Sequence, residues 1–342
     1  MEELLERGRR PLVLAIGGGG DVASAAVLAK SLERLGFKPV LASIAWERYV
    51  VDPVPGPIRL EELRSFIKLR DGYALVDEGA YAERGGRRVK FQAANASGVL
   101  KEPIYVVDLY GGVRGYVEAI EEVMADSGAD FVIGVDVGGD SLATGCEDNL
   151  WSPLADWVGV SALGLLKGVL AVHSPGSDGE LSQGEVLARI DYLASKQGLL
   201  AVASMTKKDA ELLELLLSAV RSEASRVPLL AFKGYRGPLQ LRFGSRSIVV
   251  SFINTLTFYL EASLAAESSP LVKVLASTRS LGEARRILNS HGIYTELDLE
   301  EDLASLGVSP EALTGDVLLE VRSKGARRLA HLKEVRCKSS AA

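Results

Sequence analysis

Cysteine is nearly missing from this sequence: among 342 residues only Cys146 and Cys337 occur. They sit in unlike contexts with no metal-ligand spacing. This predicts neither a disulfide framework nor a zinc site, and it suits a reducing cytoplasm. Long apolar runs are missing too. Arg7, Arg9 and Arg10 precede the apolar run Pro11 to Ile16 as a signal peptide would. That run is too short for a signal segment, ends in four glycines and an aspartate, and reads as a buried strand. Elsewhere Lys167 or glutamates break the apolar stretches, so no membrane span is expected. Basic charge is not in surplus either. A net charge of −6 argues against a nucleic-acid-binding surface. No solenoid period, low-complexity tract or Gly-Lys-Ser/Thr phosphate loop is present. Methionine, asparagine and glutamine are scarce while leucine, arginine and glutamate are plentiful, a bias that suits a hot environment.

What is present is a globular composition, 47% hydrophobic and 25% charged, with 35 glycines gathered in short loops. Such a chain is long enough for one large α/β domain with a small appendage. Leu12 to Ile16 is an apolar run. Gly17-Gly18-Gly19-Gly20 follows, then a helical pattern from Val22 to Leu35 closed by Gly36, then the apolar run Pro39 to Ala45. This is a βαβ unit with parallel strands. Trp46 to Pro57, with Pro53, Pro55 and Pro57, reads as a loop. Residues 60–100 read as an antiparallel excursion. The βα rhythm then resumes with strands at Ile104–Leu109, Phe131–Val137, Val169–Val172 and Leu199–Ala203. Ser152-Pro153, Ser182 to Glu185 and Thr206 to Asp209 start helices. A hairpin around Gly244-Ser245 and a helix over Leu256–Ala266 come next. The segment 271–337 reads as strand, helix, strand, helix, opened by Leu271–Ala276. The expected fold is therefore α/β: a Rossmann-like, doubly wound, mostly parallel sheet over residues 1–270, with a small C-terminal α/β extension over 271–342.

Three strands end in loops that pair glycine with carboxylate: Gly17 to Asp21, Asp136 to Asp140 through Gly138 and Gly139, and Ser174 to Glu180 through Pro175, Gly176 and Asp178. In an open parallel sheet such loops share one rim, where ligands bind. Asp21, Asp140 and Asp178 are accordingly predicted to line one cavity. The first loop can be read as the dinucleotide pattern Gly18-x-Gly20-x-x-Ala23, with Glu47 as the ribose partner. Asp21 opposes that reading, because a carboxylate about 4 Å from a phosphate charge costs about 4 kcal/mol at an effective dielectric near 20. Asp21 is otherwise a helix cap, or, with Asp140, Asp178 and Glu180, a ligand of Mg²⁺, which takes a few carboxylates plus water. The cofactor stays open between Mg²⁺ and the less well suited NAD(P).

Asp136, Glu147 and Asp148 add acids to the second loop. His173 beside the third is either a general base or a hydrogen-bonded core residue. Arg48 is placed to clamp an anion and Trp46 to stack on a ring, or both simply cover the core edge. The basic run Arg322, Lys324, Arg327, Arg328, Lys333 and Arg336 reads as a solvated helix face. The helix near Asp209 to Ala224 carries Leu212, Leu213, Leu215, Leu216, Leu217 and Val220 on more than one side. That predicts a homo-oligomer contact or a cover from the C-terminal extension.

The ordered loops together are similar to a known family. Gly17 to Val22, Trp46-Glu47-Arg48, Asp52-Pro53 to Pro57, Gly138-Gly139-Asp140, Ser152-Pro153-Leu154-Ala155-Asp156 and Pro175 to Leu181 resemble the archaeal and bacterial domain-of-unknown-function family eleven fifty-two. The resemblance covers most of the chain. It implies a Rossmann-like α/β protein and carries over no catalytic residues. The functional expectation is a cytoplasmic small-molecule enzyme binding a polar or phosphorylated metabolite, with no nucleic acid and no membrane partner. The alternatives are a nicotinamide-dependent oxidoreductase and a non-catalytic ligand-binding or regulatory protein.

Overall fold

A computed structural model describes residues 1–340. The chain opens with α1 (Glu2–Arg7), β1 (Pro11–Ala15), α2 (Val22–Arg34) and β2 (Val40–Ser43). Gly36 after α2 has φ 92°, the left-handed turn that glycine adopts without strain. β1 and β2 run parallel, Leu12 opposite Val40. The excursion at 60–100 holds β3 (Leu63–Arg64), β4 (Lys68–Leu69), β5 (Tyr73–Val76), β6 (Tyr81–Arg84) and β7 (Arg87–Val89), all paired antiparallel, before α3 (Gln92–Leu100). Next come β8 (Ile104–Val107), α4 (Gly112–Ser127), β9 (Phe131–Val137), α5 (Pro153–Leu165), β10 (Val169–His173), α6 (Gln183–Ser195) and β11 (Leu199–Ser204). The remainder is α7 (Lys207–Leu217), α8 (Glu223–Phe232), the hairpin β12 (Gly237–Leu241) and β13 (Arg246–Val250), β14 (Leu256–Glu261), and α9 (Ala262–Ser268), α10 (Pro270–Leu275), α11 (Leu281–Ser290), α12 (Glu296–Ser305) and α13 (Gly315–Ser340).

The main sheet has nine strands in the order β11-β14-β10-β9-β1-β2-β8-β5-β4. From β10 to β8 the neighbours are parallel. The chain winds outward from β1 through β2 to β8, then returns to β9 and winds the other way to β10. Its direction thus reverses between β1 and β9, which opens a crevice at the carboxyl ends of these two strands. Side chains of β1 alternate between two apolar layers. Leu12 and Leu14 pack with α4, α5 and α6, whereas Val13 and Ala15 pack with α1 and α2. α5 is buried on all sides, so its single carboxylate, Asp156, lies inside the protein.

Four expectations are corrected. Leu256–Glu261 is a strand, not the start of a helix. It runs antiparallel between β10 and β11, and only Ala262–Ser268 is helical. The C-terminal segment is helical throughout rather than α/β. Pro270 at the first position of α10 turns the apolar run after it into a helix. Leu271, Leu281, Leu288 and Ile293 from this segment share a core with the sheet. The two cysteines form a disulfide, Cys146–Cys337, across 191 residues of sequence. Finally, the basic run on α13 is not simply solvated. Arg322 donates to the carbonyls of Asp148 and Leu150, Lys333 to that of Glu147, and Arg336 to those of Thr144 and Gly145. α13 thus straps down the loop that leads to α5.

α7 starts with the expected capping box, Thr206 with Asp209, as α6 does with Ser182 and Glu185. Its Leu213 and Leu216 are buried, Leu212 and Leu217 pack at the edge of the same cluster, and Leu215 is 56% exposed. Its main neighbours are α2, α3 and α8, so the C-terminal helices are not its cover. Among the described residues no helix is long and apolar enough to cross a membrane.

Candidate functional site

The loops after β1, β9 and β10 meet at the crevice. Asp21, Asp140 and Asp178 line one cavity of about 170 Å³, as their position at strand ends predicts. Gly18, Gly19, Gly20, Trp46 and Arg48 line it too, whereas Gly17, Gly138, Gly139, Pro175, Gly176 and Glu180 do not. Two of these glycines make room for carboxylates. A methyl group on Gly17 would overlap the Asp21 carboxylate and crowd Asp156, and one on Gly138 (φ +136°) would overlap Asp178.

One oxygen each from Asp136, Asp140 and Asp156 falls within 4.8 Å of the other two. At that spacing each charged pair repels by roughly 3–4 kcal/mol at an effective dielectric near 20. Asp140 and Asp156 are therefore held well above the usual carboxylate range, first by burial and then by neighbouring acids. Asp21 is shifted the same way by loss of hydration and by Asp136 and Asp178. It makes no side-chain cap to α2, which removes the capping explanation for it. Burial followed by the Glu180 charge pushes Asp178 up to about 7. The buried Asp156 Oδ1 and Asp178 Oδ2 have no hydrogen-bond partner. Leaving such oxygens unpaired costs about 1–3 kcal/mol each, and both belong to this acidic site.

The other acids in and around the cavity are engaged. Glu180 accepts from the N–H groups of Trp151 (2.6 Å) and Ser152 (2.9 Å) and pairs with Arg246 Nη1 at 3.0 Å. Although burial opposes its ionisation, Arg246 and these donors hold its carboxyl below the ordinary value. Its contact with Ser152 Oγ takes that hydroxyl away from the cap of α5. Glu296 takes over that cap, accepting from Leu154 N (3.0 Å) and Ala155 N (2.8 Å). Glu300 accepts from Trp46 Nε1 (3.1 Å) and Gly56 N (2.8 Å), and Glu47 accepts from Gln92 N and Nε2, both at 2.9 Å. Burial raises Glu47 and Glu300 to about 7 and Glu296 to about 8. Asp136 holds its own loop, accepting from Gly139 N, Ser141 N and Ser141 Oγ.

Opposite in charge, Arg48, Arg242 and Arg246 line the same cavity. Arg48 pairs with Glu223 at 3.0 Å, and Arg242 reaches the same carboxylate only at 3.7 Å. Burial, then the charges of Arg48 and Arg246, push Arg242 down to about 9. The cavity thus presents a cluster of carboxylates and a cluster of guanidiniums, each repelling itself.

Other expected residues have different work. His173 is buried, with Nδ1 2.8 Å from Thr257 Oγ1, and burial pushes it down to about 4. It does not line the cavity. Glu147 accepts from Thr144 and Gly145 of its own turn. In the dinucleotide pattern, Glu47 is occupied by Gln92, and the Arg221–Ser222 segment lies about 3.0 Å from where a side chain on Gly20 would begin.

Asp156, Arg242, Arg246, Glu296 and Glu300 are site residues that the glycine loops do not point to. Asp156 had a signal, being the only charge in the apolar helix segment Pro153–Leu165. Burying a carboxylate there without function is expensive. Asp136 carries the same mark within the wholly buried strand Phe131–Val137.

The family described as protein of unknown function (DUF1152) matches residues 12–304. The chain belongs to that family. No curated protein and no solved structure matches it. The match spans the glycine loops, α5 and most of α12, and so takes in both charge clusters.

Proposed function

We propose that the crevice of this Rossmann-like sheet binds a divalent cation such as Mg²⁺ together with a phosphorylated metabolite, and that the protein is a cytoplasmic enzyme acting on that metabolite. The observation that carries the proposal is the pair of self-repelling clusters in one cavity. Asp140 and Asp156 on the cavity wall, with an oxygen of Asp136 within 4.8 Å of theirs, suit a hard cation, which supplies the charge that lets them ionise together. Arg48, Arg242 and Arg246 suit a phosphate, which guanidinium recognises through paired N–H donors. A metal–phosphate pair satisfies both clusters at once. Asp178, with Oδ2 unpaired, is the group placed to move a proton near neutral pH. A disulfide is compatible with the cytoplasm of a hyperthermophile, where intracellular disulfides are common, and the composition leans that way.

The test is calorimetric titration with Mg²⁺, then with inorganic pyrophosphate in the presence and absence of Mg²⁺. Wild type should bind pyrophosphate at least tenfold more tightly with the metal. Asp140→Asn should lose the metal effect, and Arg242→Ala should lose pyrophosphate while keeping Mg²⁺. Pyrophosphate binding that ignores both Mg²⁺ and Asp140→Asn would sink the proposal. Turnover of a ligand found this way separates an enzyme from a binding protein.

A further inference from the structure

We infer that the phosphorylated ligand carries an aliphatic body, and that α12 and the approach to α13 select for it. This rests on the metal–phosphate reading above and names its substrate class. The charges of the cavity come from strand-end loops, the starts of α5 and α8, the β12–β13 hairpin and, on α12, from Glu296 and Glu300. The other lining residues of α12 and of the chain beyond it are apolar. Leu299, Leu303, Leu313 and Leu318 line the cavity, and Tyr49 and Val50 join them from the loop after β2. Leu303, Leu313 and Leu318 form with Tyr49 and Trp151 an apolar cluster of their own, separate from the sheet's core.

With Glu296 and Glu300 taken up by the N–H groups of Leu154, Ala155, Trp46 and Gly56, that wall offers a polar ligand body few partners. The four leucine side chains and Val50 offer no hydrogen-bonding atom, and the Tyr49 hydroxyl is already donated to the Val308 carbonyl at 2.9 Å. A sugar or base edge buried there would lose its bonds to water without replacement. Stacking is also blocked at Trp151. Its ring carries the Arg246 guanidinium at 4.5 Å and the Arg322 guanidinium at 4.6 Å. A flexible or branched hydrocarbon meets none of these objections, because burial against leucine is its most favourable environment. The cavity therefore has a charged end for phosphate and cation and an apolar side for the rest of the molecule.

A series of alkyl monophosphates at saturating Mg²⁺ tests this: methyl, ethyl and butyl phosphate by calorimetry, with adenosine monophosphate as the nucleotide arm. Affinity should rise about fourfold per methylene, the equivalent of ~0.8 kcal/mol. Butyl phosphate then binds on the order of fiftyfold more tightly than methyl phosphate. Adenosine monophosphate should bind no more tightly than methyl phosphate. The half-buried Leu299 is tolerant enough for a variant, and Leu299→Gln should flatten the series to less than twofold per methylene. Mg²⁺-dependent binding of methyl phosphate without any gain toward butyl, or a preference for the nucleotide, overturns the aliphatic body and leaves the metal–phosphate reading standing. Absence of any phosphate binding at every Mg²⁺ concentration overturns both.

Discussion

Asp178 and Glu180 leave one loop two residues apart, and their oxygens meet opposite fates. Every contact of Glu180 fixes something: the N–H groups of Trp151 and Ser152 and the guanidinium of Arg246. Asp178 keeps Oδ1 for the Glu180 N–H and leaves Oδ2 without a partner. The same division runs around the cavity. Glu47, Glu296 and Glu300 hold backbone or indole N–H donors, whereas Asp156 sits buried with an unpaired oxygen. One region is a frame whose carboxylates close loops onto one another. The other is a floor whose carboxylates crowd one another and leave buried oxygens unpaired. Hydrogen-bond accounting separates the two where residue type alone does not.

The largest effect should come from breaking the frame. Glu180→Ala strands Arg246 and two backbone N–H groups in the interior, and a loss of about 3–5 kcal/mol in denaturant unfolding is expected. Floor variants should behave in the reverse manner. Asp156→Asn should lower Mg²⁺ affinity on the order of a hundredfold, close to 2.7 kcal/mol. Its melting temperature without metal should stay level or rise, because one repelling charge is gone. A drop in that temperature of several degrees would move Asp156 into the frame.

Stability against pH sharpens the contrast further. Asp178, Glu47, Glu300 and Glu296 have folded-state values of about 7, 7, 7 and 8. Above pH ~4.5 the unfolded chain has lost protons that the native state keeps, so native protein binds more protons. The stability of metal-free protein should therefore fall as pH rises from about 4.5 to 8. Mg²⁺ should oppose that fall, with affinity that increases over the same interval as the carboxyls ionise. The smallest effect is expected at Glu296→Gln. The amide oxygen still caps α5, and the cost should stay near 1 kcal/mol by denaturant titration.

Much of this was legible in the sequence. Apolar runs followed by glycine marked β1, β9 and β10, and the capping boxes at Ser182 and Thr206 marked α6 and α7. The convergence of Asp21, Asp140 and Asp178 followed from parallel strands alone. Elements with short apolar runs misled. Leu256–Glu261 and Pro270–Leu275 are both short apolar runs, yet one is a strand between β10 and β11 and the other a helix, because neighbours in the fold decide such runs. The disulfide and the strapping of 144–150 by α13 join positions up to about 190 residues apart, for which no local pattern exists. Arg242 and Arg246 reach the cavity from the β12–β13 hairpin for the same reason. Asp156 is different. Its isolation in an apolar helix was visible, and only the rule that a lone buried acid needs a partner gives that isolation meaning.

The most direct measurement is crystallographic. Crystals soaked in millimolar Mn²⁺, which substitutes for Mg²⁺ and scatters anomalously, should show their strongest anomalous peak between Asp136, Asp140 and Asp156. Carboxylate oxygens should lie about 2.1 Å from it. Occupied sites elsewhere, with none among these three aspartates, would contradict the account and return the carboxylates of the floor to the frame.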